Sequence, residues 1–331
     1  MREKPLTLCK YFAEMKISQL FLSIFAAGCL LAGCQRGGYA VFTGYAQGGT
    51  YTVKADLTGV TVPEEEIAAH IDAILDSIDF SLSGYNKSSL LSRFNAGEEI
   101  VPDRFFNEIR TLSDKYRTET GGAFDVASAP LFDIWGFGFT SDSLPDPVRV
   151  QAALLACKEE KELNFNAIAQ GYTCDVVAGY LHSLGVHAML VDIGEIYCEG
   201  LNPSGRGWTI GVDNPVDGND TPGQDLRGVW QSDGGACGIV TSGNYRKFYV
   251  KDGKKYAHTI DPRTGYPVEH GLLSATVVAP TAAEADALAT ACMVLGPEPA
   301  KELIQSRPEL EGYLIMDTGT WTSDGFTLLV P

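Results

Sequence analysis

Residues 273–278, Leu273-Ser-Ala-Thr-Val-Val278, lead into Thr281-Ala-Ala-Glu-Ala-Asp-Ala-Leu-Ala-Thr290, and this junction decides the fold. The first stretch is short, apolar and β-branched, which predicts a strand. The second opens on Thr281 with Glu284 three residues on, which predicts a helix begun by a capping box. Toward the N-terminus the spacing predicts more strands at 208–212, 228–232, 238–241 and 247–250. Toward the C-terminus it predicts a second helix from Pro297 and strands at 313–316 and 326–330. The first half reads differently. A hairpin over 39–45 and 50–56 turns at Gln47-Gly48-Gly49, and amphipathic helices follow at 63–80 and 103–119. A third helix at 168–184 is expected between a short strand and a strand at 187–193. Strands and helices come in blocks, so the expected class is α+β rather than a doubly wound sheet.

The same junction points to chemistry. Asp286 and Thr290 are four residues apart on one helical face, so a carboxylate and a hydroxyl can share a hard cation, of which magnesium is the natural one. Shortly before them, Tyr256-Ala-His-Thr-Ile-Asp-Pro-Arg-Thr-Gly-Tyr-Pro267 sets His258, Asp261 and Arg263 on a turn stiffened by proline and glycine. Further stretches read as site loops rather than packing elements: 81–86, 88–95, 120–125, 129–138 and 240–245. Residues 164–172 are expected to end a strand at a helix start, where free backbone N–H groups favour an anion. Together these pieces describe a cleft with a cation and aromatic walls, suited to a nucleotide-like ligand.

The front of the chain reads as an export signal. Lys10 and Lys16 precede an apolar run over 17–31 that ends in Leu31-Ala32-Gly33-Cys34, the pattern of a lipoprotein signal with Cys34 lipidated. Met15 begins a complete signal by itself, so residues 1–14 read as an upstream start. The expected organisation is a signal peptide over 1–33 and one folded unit over 34–331, with no linker and no repeat. The net charge of -17 and the lack of a basic stripe exclude nucleic acid as a partner. Beyond the signal, Cys157, Cys174, Cys198, Cys237 and Cys292 form no metal or disulfide pattern and read as buried thiols. His70, His182, His187 and His270 lack the setting of His258 and read as structural or exposed.

In order and wording these motifs resemble the FAD:protein FMN transferases, the ApbE-like lipoproteins. The matches are Ser92-Arg93-Phe94-Asn95, Gly122-Ala-Phe-Asp125, Pro130-Leu131 with Trp135-Gly-Phe-Gly138, Thr241-Ser-Gly243, the 258–267 turn and Ala285-Asp-Ala-Leu-Ala-Thr290. The resemblance implies an α+β fold related to the tunnelling fold, with FAD in a central cleft and FMN passed to a threonine hydroxyl of an acceptor flavoprotein as AMP leaves. It implies magnesium on Asp286, Thr290 and the carbonyl of Ala167. It also implies flavin and adenosine contacts from Tyr85, Ala123, Phe124, Asp125, Asn164, Gln170, Ser242, Gly243 and Ile260. His258 would act as the base and Asp261 would support it in catalysis. The acceptor implied is an extracytoplasmic protein such as a subunit of a sodium-pumping respiratory complex, and the enzyme would be lipid-anchored on the outer side of the cell membrane. Relatives commonly carry lysine at Gln170 and aspartate at Asn164, so an ion pair is expected to have become a neutral amide pair. The same site with water as acceptor would make an FAD pyrophosphatase, and without a base it would make a flavin-binding lipoprotein.

Overall fold

The computed structural model describes residues 38–138, 144–219, 221–245, 248–251 and 254–329. The expected signal, Cys34, Lys247 and Val330 lie outside the described residues. An N-terminal hairpin, β1 (Tyr39–Ala46) and β2 (Gly49–Asp56), leads to α1 (Glu64–Leu82), α2 (Leu90–Asn95) and α3 (Arg104–Glu119). A 3-10 turn at Val126–Ser128, α4 (Ala129–Ile134), α5 (Pro147–Cys157) and α6 (Ala169–Ser183) follow. Next come β3 (Met189–Asp192), β4 (Ile196–Glu199), β5 (Thr209–Asp213), β6 (Leu226–Gln231), β7 (Cys237–Gly243), β8 (Phe248–Lys251), β9 (Lys254–Ala257) and β10 (Leu272–Ala279). The chain closes with α7 (Ala282–Leu295), α8 (Pro297–Gln305), β11 (Glu311–Met316), β12 (Gly319–Thr322) and β13 (Leu328–Leu329).

The central sheet runs β1-β2-β3-β4-β7-β10-β11-β12. Its neighbours all pair antiparallel. Its two faces bury different partners, because side chains alternate along each strand. Val191, Val240 and Val277 face the helices, whereas Leu190, Ile239 and Val278 face a smaller sheet, β13-β6-β5, through Trp208, Ile210, Val212 and Trp230. Burial on both faces explains why Ser274 through Ala279 are buried one after another. The fold is α+β with a central sheet, as the block order predicts.

The helices form because their apolar positions repeat on one face. In α1, Ile67, Ile71, Leu75 and Ile78 are buried; in α3, Phe106, Ile109 and Tyr116 are. Helix α7 differs: nearly every residue in it is buried, so it is the core helix that the sheet and the other helices pack around. Small residues let it sit close. A Cβ on Gly171 of α6 would lie 2.3 Å from the Ala282 carbonyl oxygen, and one on Gly238 of β7 would lie 2.3 Å from the Ala282 Cα.

The structure corrects four expectations. No strand immediately precedes α6, because Leu163 exchanges its backbone hydrogen bonds with the Asn95 side-chain amide (2.8 and 2.9 Å) instead of with a strand. Asn164 donates its N–H to the Val126 carbonyl at 2.8 Å and curls into an Asx turn on Asn166. Residues 88–95 are not an open loop. Ser89 accepts from the Ser92 N–H at 2.9 Å and starts α2, which buries Leu90 and Leu91. Residues 129–134 likewise form helix α4, with Pro130 in its first turn and Leu131 fully buried. The capping box on α7 is half formed. Thr281 accepts from the Glu284 N–H at 3.2 Å, while the Glu284 carboxylate pairs with Arg307 and lies 3.8 Å from Lys115. The described cysteines are all free, and the Cys198 and Cys237 thiols face each other across β4 and β7 at 3.7 Å.

Candidate active site

A cavity of about 350 Å³ opens between the start of α6, the middle of α7, the end of β7 and the 258–262 segment. Its floor is Ala167, Gln170, Asp286 and Thr290, one wall is Thr241, Ser242 and Gly243, and the other is Ala123, Phe124 and Asp125 with Phe132 and Phe137. Every flavin- and metal-assigned position of the sequence reading lines this space; Asp261 does not.

The floor is built by a close helix crossing. Gly171 brings the first turn of α6 onto α7, and its N–H donates to Asp286 Oδ2 at 3.1 Å. The helix start expected to bind an external anion therefore receives a carboxylate of the protein itself. Asp175, one turn further along α6, accepts from the Ala282 and Ala283 N–H groups at 2.8 and 2.9 Å and so caps α7. Burial raises the pKa of Asp286, the Gly171 N–H opposes the rise, and the neighbouring Asp175 charge adds to it. Burial also pushes Asp175 up to about 6 against its two backbone hydrogen bonds. Among the described residues no lysine or arginine forms an ion pair with Asp286. Asp286 is a buried floor carboxyl without a counter-charge, so a hard cation would complete the site, and the Thr290 hydroxyl and Ala167 carbonyl that line the same cavity are donors magnesium takes.

The wall at Asp125 is held rigidly. Its carboxylate accepts from the Ala127 N–H at 2.9 Å and pairs with Arg117 Nε at 3.2 Å, and Arg117 in turn bonds Glu160 at 2.7 Å. Burial is the largest influence on Asp125 and raises its pKa, opposed by Ala127 and Arg117. Gln170 rests on Gly194, where a Cβ would fall 2.4 Å from Gln170 Nε2. Gly194 has φ +93°, so the Ile193-Gly194-Glu195 turn depends on glycine twice, for its backbone and for that approach. Asn164 is spent on Asn166, and no hydrogen bond joins it to Gln170 among the described residues, so the expected amide pair does not form.

His258 is half-buried at the rim, edge-on to Phe137 with ring centres 6.3 Å apart. The turn after it is closed by Asp261. The Asp261 carboxylate takes Arg263 Nε at 2.8 Å and Nη2 at 2.9 Å, and its carbonyl accepts from the Gly265 N–H at 2.8 Å. Asp261 therefore shapes the loop and points away from the cleft. Trp135 fastens the turn from below: its Nε1 donates to the Gly265 carbonyl at 2.8 Å and its ring stacks on Tyr256. Tyr85 stands at the mouth, 67% exposed.

Five lining residues fall outside the stretches that the sequence reads as site segments: Val126, Ser128, Glu195, Met293 and Val294. A signal existed for two of them, since Met293 and Val294 continue the Asp286–Thr290 face of α7 by three and four residues. Glu195 carries no local pattern, because the β3–β4 turn alone brings it in.

The ApbE family, as a sequence family, matches residues 48–314. The chain is 32% identical over 349 aligned positions to the FAD:protein FMN transferase of Escherichia coli strain K12, covering 94% of this chain and 97% of that protein. It is also similar to the solved flavin transferase ApbE from Vibrio cholerae, with TM-score 0.74 and 28% identity over 87% of this chain and 98% of that one. The flavinyl transferase ApbE of Pseudomonas stutzeri, in its apo form, gives TM-score 0.73 and 32% identity over 87% and 94%.

Proposed function

This chain belongs to the ApbE family, and on that premise we propose that it is an FAD:protein FMN transferase, moving FMN from FAD to a threonine hydroxyl of an acceptor protein. The observation that carries this reading is one cavity joining a carboxylate-hydroxyl floor, aromatic and polar walls and a rim histidine. In the reaction the acceptor oxygen attacks the flavin-side phosphorus of the FAD pyrophosphate. The bond from that phosphorus to the bridging oxygen breaks, AMP departs, and the hydroxyl proton goes to His258.

Asp286, Thr290 and the Ala167 carbonyl are the residues that would hold magnesium, and the chemistry it supplies when bound is neutralisation of pyrophosphate charge. Phe124, Asp125 and Asn164 on one side and Ser242, Gly243 and Ile260 on the other hold the substrate in line. Tyr85 stands at the mouth, exposed to solvent. Phe132 and Phe137 keep water from the reacting phosphorus, which favours the protein hydroxyl over hydrolysis. The acceptor is an extracytoplasmic flavoprotein, such as a subunit of a sodium-pumping respiratory complex, reached by an enzyme anchored through lipid on Cys34.

The test is incubation of the protein with FAD and a threonine-bearing acceptor, with magnesium or with chelator, followed by intact-mass analysis and nucleotide chromatography. An FMN adduct that needs magnesium, with equal AMP, is expected. Free FMN and AMP without adduct would replace the reading with pyrophosphatase, and intact FAD would reject catalysis on that acceptor. Metabolic labelling with a fatty acid, lost in Cys34→Ala, tests the anchor.

A further inference from the structure

Two of the histidines that read as structural or exposed converge on one carboxylate far from the cleft. His182 lies in the last turn of α6, His187 in the connection to β3, and Glu199 at the end of β4. His182 Nε2 is 2.5 Å from Glu199 Oε2, and His187 Nδ1 is 3.3 Å from Glu199 Oε1. The two imidazoles lie nearly parallel with centres 5.4 Å apart, and one donor atom from each of the three side chains falls within 4.8 Å of the others.

We propose that His182, His187 and Glu199 form a second metal site, for a borderline transition ion of the zinc class, which ties the end of α6 to the β3–β4 hairpin. Three arguments select this ligand. The donor set is two imidazole nitrogens and a carboxylate, which suits zinc and its neighbours and not magnesium. The carboxylate is oriented from outside the triad. Tyr197 donates to Glu199 Oε2 at 3.1 Å, and Trp208 Nε1 donates to the Glu199 carbonyl at 2.9 Å, the outer contacts that hold a ligand in place. The His187 side chain is 71% exposed, which leaves an open side for a water ligand and an entry path.

The ligands come from the last turn of α6, its connection to β3 and the end of β4, so a bound ion would cross-link the sheet to the helix whose other end forms the floor of the cleft. Helix α6 spans about 22 Å at 1.5 Å per residue, which places the two metal sites at opposite ends of one rigid rod.

The experiment uses untagged protein in excess magnesium, which occupies the oxygen donors of the cleft, and titrates it with cobalt(II) as a spectroscopic probe and then with zinc. One equivalent of cobalt with nitrogen-ligand visible bands, displaced by zinc, is expected, along with a zinc-dependent rise in Tm. His187→Ala and Glu199→Gln should each weaken zinc binding by at least about tenfold, and Tyr197→Phe by about 10–100-fold as an outer contact. His258→Ala should leave the zinc affinity unchanged. His187 is exposed, so its variant tests the ligand without threatening the fold. Lack of binding under magnesium, or binding that survives both ligand variants, overturns the proposal.

Discussion

The floor and the rim of the cleft are built on opposite principles. At the floor, Asp286 is a carboxyl buried between two core helices and fixed by a backbone N–H group and a glycine-mediated contact, with Asp175 buried one turn along α6, outside the cavity lining, where it accepts two backbone N–H groups. At the rim, His258 is half-buried on a loop whose shape comes from a partly exposed Asp261–Arg263 pair and one indole hydrogen bond. The floor carries charge at a cost in stability that a cation would offset, while the rim carries reactivity at little cost to the fold. One region is thus strained by its function and the other is merely supported for it.

The sharpest way to break this contrast is Asp286→Asn. The amide keeps an acceptor for the Gly171 N–H and loses the charge, so magnesium-dependent transfer should fall to background in a turnover assay. Metal-free stability at pH 8 should rise, measured by denaturant unfolding. A loss of stability instead would mean that the floor carboxylate is not strained. His258→Ala should lower kcat by about 10²–10⁴-fold while FAD affinity, read by fluorescence titration, and Tm stay near the parent values. A large fall in Tm would make the rim as structural as the floor.

Gly171→Ala comes next. Its Cβ would meet rigid backbone at 2.3 and 2.6 Å, so α6 and α7 must part. A loss of about 3 kcal/mol in urea unfolding is expected, with weaker magnesium dependence.

A pH series on metal-free protein sharpens the same point. Burial raises Asp175 from its ordinary value near 3.8 to about 6. A raised carboxyl contributes stability that is present below its unfolded value and is lost as pH climbs through its folded one. Stability should therefore decline from about pH 4 to pH 7, by roughly 3 kcal/mol from a two-unit shift at this buried group. Magnesium should flatten the decline, and an unchanged slope would remove the cation from the floor. The smallest effect belongs to Trp135→Phe, which loses one hydrogen bond to Gly265 and should cost about 1 kcal/mol, with a modest drop in kcat as the turn loosens.

How far the site was legible depended on the range of the interactions involved. The Asp286–Thr290 face follows from helical geometry alone, and the 258–267 turn from proline and glycine, so both could be read locally. Whereas the helix at 88–95 starts on a local cap, Ser89 accepting from the Ser92 N–H, residues 163–168 were misread because the backbone of Leu163 is satisfied by the Asn95 side chain across 68 residues, which neither segment announces. The half-formed capping box failed for the same reason, since Arg307 competes for Glu284 from another element. Glu195 reached the cleft, and His182 met His187 and Glu199, only through the pairing of β3 with β4 and the packing of α6 beside it.

By itself the sequence determined the blocks of strands and helices, the cation-friendly helical face and the turn that carries His258, because periodicity, capping and turn chemistry act over a few residues. Tertiary structure alone decided that the central sheet buries both faces, that Asp286 is buried under the influence of the Asp175 charge, and that Asp261 points away from the cleft. The reason is physical: burial and charge proximity are set by which distant surfaces exclude water together, and no local pattern encodes that sum.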